Sequence, residues 1–359
     1  MSALNRLRLL WGYLTCKSEL SGSPVEYIVE TTAKCNLYCP MCPRESHPQP
    51  KADMDDQTFQ RLVYQVAGTA EHMMLVGLGE PLLDPKIFDR ITLCAQNGIS
   101  TLLSTNGTLL DEATARRLLE SPLEQLTLST DGITKETFEY YRRGARFEQV
   151  QANFLRLARL KHQNKSRLHL TVQMVLMDGN RQEVGEFLRF WKSVPGIDQV
   201  RIKQDETDLL QPGNPTSTAR RYRCHYLWRG PLYVRHNGDV YPCCQAYMLD
   251  APPLGNLAHK SIHELWNSPT MKELRALHAA GRGEQVDMCR RCRAPMPHPA
   301  LVIGSLLLHS RTVRRWLPRI ERLVYFSRLG HRLLQVPRLD PSVPRELVQL
   351  QTRDRAGSR

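Results

Sequence analysis

The chain has 359 residues, 49 Lys and Arg against 36 Asp and Glu for a net charge of +13, and 41% hydrophobic residues. That balance excludes a disordered chain, and at roughly 100 to 200 residues per domain it accommodates two domains, or one large α/β domain with a smaller appendage. The longest strongly apolar stretch, Ala300 to Leu308, is far shorter than the roughly 20 residues of a membrane-spanning helix, and no secretory cleavage pattern follows the amphipathic amino terminus, so neither a span nor a signal peptide is expected.

In chain order, Leu4 to Leu14 is amphipathic, with Trp11 and Tyr13. Strands are predicted at Tyr27 to Glu30, Met73 to Val76, Ser100 to Ser104, Leu126 to Ser129, His169 to Leu176 and Gln199 to Lys203. Helical spacing lies between them at Thr58 to Val66, Pro85 to Asn97, Asp111 to Leu119, Phe147 to His162 and Gln182 to Trp191. Strands alternating with helices imply a parallel sheet whose chemistry gathers at the carboxyl ends of the strands. There the first strand runs into a cysteine loop, the second into Gly77 to Pro81, the third into Asn106 and Gly107, and the fourth into Asp131 and Gly132.

Gln211 to Ser217, rich in Pro, Gly, Asn and Ser, reads as a linker. A second unit follows from about Tyr222 to about Pro295, with a hairpin about Asn237-Gly238 and one helix predicted over Ile262 to Leu277. The resulting division is an amino-terminal segment 1–24, a core domain 25–212, a second domain 213–300 and a basic tail 301–359. Residues 310–359 hold 12 Arg and 4 acidic residues, a net +8. In that tail Val313, Trp316, Leu317, Ile320 and Val324 recur at helical spacing among arginines, with Pro318 kinking or restarting the helix. Docking on the protein and contact with an anionic membrane surface both explain such a segment. Nucleic acid is disfavoured for want of a reading module.

Of ten cysteines, Cys35, Cys39 and Cys42 form Cys-x3-Cys-x2-Cys, and Cys224, Cys243 (or its neighbour Cys244), Cys289 and Cys292 come from three further segments. Such grouping without a secretion signal reads as metal ligation in a reducing compartment, taken as the cytoplasm, with peripheral attachment at the inner membrane surface as one of the two readings of the basic tail. Cys16 and Cys94 read as small buried hydrophobes. Three thiolates suit three corners of a [4Fe–4S] cube with one iron left open. Zinc is the competing reading, with His47 near the first group and four Cys in the second.

With these turns the chain resembles the radical S-adenosylmethionine superfamily over roughly Glu26 to Pro295. The resemblance implies a partial (β/α)6 TIM-like barrel followed by a small α+β iron–sulfur domain of SPASM/Twitch type. It also implies that the open iron binds S-adenosylmethionine, whose reductive cleavage gives a 5′-deoxyadenosyl radical, with a flavodoxin- or ferredoxin-type electron donor. Gly77-Leu78-Gly79-Glu80-Pro81 is similar to the family's Gly-Gly-Glu-Pro turn, with Leu78 in place of its leading glycine. Gly79 would let backbone approach the cofactor, and Glu80 would accept from its amino group. Tyr38 would lie near adenine, and the turns holding Ser104, Asn106, Ser129 and Asp131 would bind carboxylate and ribose. Arg142 would pair the cofactor carboxylate, while Arg143 is expected in solvent.

The Gly-x4-Cys spacing to Cys243, Leu254-Gly255-Asn256-Leu257 and Ser261 to Trp266 resemble the SPASM/Twitch extension, and the cysteine count favours the one-cluster Twitch form. A four-thiolate auxiliary [4Fe–4S] cluster is expected to take up an electron left on substrate. The expected function is therefore a radical oxidoreductase acting on a small or carrier-linked molecule of sugar or cyclitol type, since about 25 residues before the first strand are too few for a peptide-binding domain. A peptide-modifying maturase is the alternative within the class, and a zinc-containing scaffold the alternative outside it. Asp178, Lys203, Asp205 and Glu206 are the candidate bases or substrate anchors.

Overall fold

The computed structural model describes residues 3–45, 50–204, 222–292, 296–309 and 312. The linker 211–217, His47, Asp205, Glu206 and the tail pattern from Val313 to Val324 lie outside the described residues.

The chain opens with helix α1 (Ala3–Leu14). The core then alternates strand and helix: β1 (Glu26–Val29), α2 (Asp56–Val66), β2 (His72–Met74), α3 (Ile87–Gln96), β3 (Ser100–Thr105), α4 (Glu112–Glu120) and β4 (Gln125–Ser129). It continues through α5 (Lys135–Tyr141), α6 (Phe147–Gln163), β5 (His169–Leu176), α7 (Val184–Ser193) and β6 (Gln199–Gln204). Helices α2 and α4 start where short polar side chains stand ready to take an unpaired N–H: Asp55 accepts from Thr58 N and Asp111 from Thr114 N, both at 2.8 Å. Leu157, Phe154, Phe187 and Trp191 from α6 and α7 are buried in the shared core, which covers the sheet with their apolar faces.

The second unit comprises α8 (Tyr226–Arg229), β7 (Leu232–Val234), β8 (Asp239–Tyr241), α9 (Cys244–Met248), β9 (Gly255–Asn256), α10 (Ile262–Trp266), α11 (Pro269–Ala279), α12 (Asp287–Arg291) and α13 (Pro299–Leu307). All nine strands belong to one sheet, in the order β6-β5-β4-β3-β2-β1-β7-β8-β9. Pairing is parallel from β6 to β7, and only the β7–β8–β9 meander is antiparallel. The α/β architecture built on a parallel sheet is as expected from the alternation. What periodicity did not reveal is that the hairpin joins the core's own sheet, with Ile28 of β1 opposite both Met74 and Tyr233.

Three elements depart from the sequence expectation. The single helix predicted over Ile262 to Leu277 is two, because Ser268 caps a new start by accepting from Met271 N, with Pro269, which has no N–H to donate, in its first turn. Helix α5, a single short stretch capped by Thr134, was not predicted. The first two residues of the helix predicted over Gln182 to Trp191 belong instead to a 3-10 segment, Asp178–Glu183, where Asn180 donates to the carbonyls of Asp131 and Val175.

Candidate active site

The cysteine loop leaves β1 at the carboxyl edge of the sheet and is fixed at its root. Thr32 Oγ1 donates to Asp53 Oδ1 at 2.6 Å, Lys34 pairs with the same carboxylate at 2.7 Å, and the Lys34 carbonyl accepts from Glu80 N at 2.8 Å. Gly79 also has a task within the protein itself. A Cβ there would stand 2.1 Å from the Thr32 carbonyl oxygen, so the glycine lets the second turn press on the cysteine-loop backbone.

Glu80 is wholly enclosed and engaged by the protein itself. Its Oε1 accepts from Thr105 Oγ1 at 2.7 Å and from Leu82 N at 3.2 Å, and its Oε2 from Asn106 N at 2.7 Å. Burial raises its pKa against these donors. The carboxylate thus clamps the second turn to the third. Asn106 in turn donates to Asn36 Oδ1 at 3.0 Å, which ties the third turn to the cysteine loop. Ser104 and Ser129 face each other across β3 and β4 at 3.0 Å.

Asp131, buried at the end of β4, accepts from Val175 N at 2.8 Å and from Arg142 Nε at 2.6 Å. Arg142 is thereby placed beside the three thiols. Burial opposes its charge, but Asp131 and the nearby cysteines outweigh that and raise its pKa. Arg143 is exposed, as expected, while Tyr38 stands exposed at the rim with Arg44 5.9 Å from its ring centre.

Cys39 is buried, Cys35 and Cys42 partly so, and Cys42 N donates to the Cys39 carbonyl at 2.9 Å. Desolvation pushes the Cys39 thiol up to about 11, with Arg142 pulling it down and the other two cysteines raising it further. Three thiols within each other's field, flanked by Arg142 and Arg44, form a donor set that fits a four-iron cluster with three protein ligands: the guanidinium groups offset the anion that three thiolates create.

Cys224, Cys243, Cys289 and Cys292 line one cavity, with Met288 on its wall; Cys244 is not among the lining residues. The sulfurs surround a space rather than meeting at a point: among the described residues no three His, Cys, Asp or Glu side chains converge closely enough to hold a single metal ion. A cavity with four thiols fits a multi-iron cluster. Burial drives the Cys243 thiol well above its ordinary range, reinforced by Cys244, Cys224 and Cys292. Cys94 lies in the core 3.7 Å from Met73 Sδ, consistent with a small apolar role, whereas Cys16 touches Arg223.

Two groups escaped the sequence reading. His278, at the end of α11, accepts from Cys224 N at 3.4 Å through Nδ1 and lies 3.4 Å from Cys289 Sγ through Nε2, so one ring spans two ligand segments. Glu30, one residue beyond β1, meets Arg235 and His236 just beyond β7. Its Oε2 lies 2.9 Å from His236 Nδ1 and 3.3 Å from Arg235 Nε, and its Oε1 accepts from Leu78 N at 3.1 Å. Burial would raise the Glu30 pKa, but His236, Arg235 and the Leu78 amide outweigh it and hold the carboxyl below its ordinary value. Around them Tyr233, Tyr241 and Tyr247 pack tilted or edge-on to one another with ring centres 5.4 to 6.3 Å apart, reaching toward Cys243. The only signal was positional: acid, base and imidazole at the ends of two strands whose adjacency the sequence does not state. Of the candidate bases, Asp178 is solvent-exposed and paired with Arg181 at 3.0 Å, and Lys203 sits half-buried near the edge of the sheet.

Comparisons with known proteins agree with this geometry. The family model of the radical SAM superfamily matches residues 29–190, and that of the SPASM iron-sulfur cluster-binding domain matches residues 224–293. GTP 3′,8-cyclase of Chlorobaculum tepidum is 34% identical over 139 residues, 38% of this chain and 42% of that protein, so the match spans less than half of that relative's length. PqqA peptide cyclase of Gluconobacter oxydans is 22% identical over 311 residues, 76% of this chain and 84% of that one. The crystal structure of Streptococcus suis SuiB bound to precursor peptide SuiA shares the fold with a TM-score of 0.59 at 15% identity, covering 74% of this chain and 69% of that one. These domains imply a [4Fe–4S] cluster with S-adenosylmethionine in the first and auxiliary iron–sulfur binding in the second. With both matches falling on the two thiol groups just described, the chain belongs to the radical SAM superfamily and carries a SPASM-type carboxyl-terminal domain.

Proposed function

We propose that this radical SAM enzyme is an oxidoreductase that removes hydrogen from a C–H bond of a small or carrier-linked substrate of sugar or cyclitol type. The observation that carries it is the joining of two thiol groups by one sheet: the three-cysteine loop leaves β1, and the four-thiol cavity is built around the hairpin that pairs with β1. When bound, the two clusters and S-adenosylmethionine supply a carbon radical able to abstract hydrogen and an acceptor for the electron the substrate gives up.

The chain's own residues do the rest. Cys35, Cys39 and Cys42 hold the first cluster, and Cys224, Cys243, Cys289 and Cys292 the second, as a single auxiliary site. Asp131 fixes Arg142 as the cation facing the cofactor carboxylate, while Glu80 and Asn106 keep the turns in register with the cysteine loop. Ser104, Ser129 and Gly79 shape the same wall, and Tyr38 covers the adenine side. Glu30 and His236, buried together just beyond the ends of β1 and β7, are proposed as the pair that takes up the proton lost on oxidation.

Anaerobic reconstitution tests the reading: about eight irons per chain and 5′-deoxyadenosine released on reduction support it, whereas zinc content without cofactor cleavage overturns it in favour of a scaffold. Cys39→Ala is expected to abolish 5′-deoxyadenosine release; Cys289→Ala is expected to retain it while losing product. Product formed undiminished by Cys289→Ala would contradict the electron-acceptor role. A second reading, modification of a peptide, is favoured by the likeness to PqqA peptide cyclase over 84% of that protein. A short precursor peptide encoded beside this gene and altered in mass by the reconstituted enzyme would decide for it.

A further inference from the structure

We infer that the outer face of α1, together with the adjoining end of α13, is a docking surface for an anionic lipid bilayer. Leu4, Leu7, Trp11 and Leu14 follow one another at helical spacing, and each is between 49% and 60% exposed. On the opposite side of the same helix Asn5, Leu9 and Tyr13 are buried. That side is fixed: Asn5 exchanges two hydrogen bonds with the Ser23 backbone, at 2.8 and 3.0 Å, and the Tyr13 ring meets Trp228 edge-on at 5.9 Å. The helix is therefore held rigidly with a second apolar face turned outward, which a solvated helix has no reason to carry. Helix α13 packs against α1, and its end adds exposed Leu307 and Leu308. Six of the nine large hydrophobic side chains that stand exposed among the described residues lie on these two helices or, for Leu308, immediately after the second.

Charge decides which occupant fits. The first 18 residues contain Arg6, Arg8 and Lys17 and no Asp or Glu, and Arg8 and Lys17 are exposed. Directly after α13 the sequence enters its last 50 residues, with 12 Arg and 4 acidic residues. A second copy would set these like charges against each other, whereas an anionic surface attracts them while its acyl boundary takes the leucines and the indole. The two signals, apolar face and basic chain, are what stable peripheral attachment needs. Docking also fixes an orientation. Asn5 bonds to the chain just before β1, and Arg6 pairs with Glu71, just before β2, at 3.7 Å, so α1 lies at the amino edge of the sheet. The cysteine loop leaves the carboxyl edge, and the active-site mouth then faces away from the bilayer.

The test is sedimentation of the full-length, anaerobically purified protein with vesicles of phosphatidylcholine alone or with about 30% phosphatidylglycerol. Binding to the anionic vesicles is expected, falling about tenfold or more in the double variant Leu7→Gln/Trp11→Gln. In protein carrying Trp316→Phe, brominated lipid is expected to quench Trp11, the exposed indole among the described residues. Failure of the unaltered protein to sediment with either vesicle overturns the proposal. So does undiminished binding by the double variant, which would leave attraction to the tail as the whole effect. A concentration-dependent dimer without vesicle binding would assign the face to a second copy instead. Should the double variant lose its iron or its circular dichroism, the quenching experiment decides, and an unquenched Trp11 overturns the docking.

Discussion

Single residues at this site act mostly on one another. Glu30 is the clearest case, a buried carboxylate held ionised by Arg235, His236 and the Leu78 amide. Its folded pKa is depressed, so its contribution to stability is complete above the ordinary glutamate value of 4.5 and is lost as pH falls through the lowered folded value. Glu30→Gln is expected to cost about 3 kcal/mol at neutral pH because Arg235 is left without its carboxylate. Denaturant titrations should show the gap from the unaltered protein closing as pH falls below 4.5. A gap independent of pH would mean that the carboxylate charge contributes nothing. Gly79→Ala acts through shape: a methyl 2.1 Å from the Thr32 carbonyl oxygen must displace the cysteine loop. A loss of about 1 to 3 kcal/mol, with iron content dropping toward half, is the expected result. The turn containing Gly79 was legible in the sequence as chemistry, but its close approach to Thr32 was not, because the atom it avoids belongs to a segment 47 positions earlier in the chain.

At the scale of elements, local signals served well where the local chain decides. The parallel strands and the helices capped by Asp55 and Asp111 fall within a few residues of their predicted bounds, since period and cap are both properties of neighbouring residues. The join between α10 and α11 was missed because apolar spacing runs straight across Ser268 and Pro269. Ser268→Ala is expected to cost about 1 kcal/mol, read as a lowered melting temperature, by removing the cap. Arg275 on α11 is a stronger tie and was invisible in sequence. It is wholly buried and donates to the carbonyls of Leu227 at 2.7 Å, Ser18 at 2.8 Å and Trp266 at 2.7 Å, while stacking on the Trp266 ring. Burial lowers its pKa to about 9, which still leaves it charged at neutrality. Arg275→Leu is expected to destabilise by about 3 kcal/mol or more, because three carbonyls, two of them in buried contacts, lose a charged donor at once. Denaturant unfolding near the level of the unaltered protein would show those carbonyls to be satisfied in another way.

For the whole molecule, the nine-stranded sheet makes the two thiol groups parts of one body. Iron bound at either group stabilises the folded chain, since the unfolded chain has no preformed site. Removing it anaerobically with a chelator is expected to lower the melting temperature, and more so for the four-thiol site, which draws on Cys224, Cys243, Cys289 and Cys292 from three separated segments. An unchanged melting temperature would mean the cavity is held by its apolar wall alone. Among the described residues no helix is long and apolar enough to cross a membrane.

The sequence by itself determined the grouping of the cysteines, the alternation that makes a parallel sheet, and the motifs by which the family was recognised, because spacing along the chain carries each of these. Only the tertiary structure decided that Glu80 clamps neighbouring turns, that Asp131 aims Arg142, that Cys243 rather than Cys244 faces the cavity, and that Glu30 meets His236. Each of those depends on which strands become neighbours and how deeply a side chain is buried. Pairing β7 against β1 brings together residues about 200 positions apart, and no local pattern records the free energy that selects that pairing.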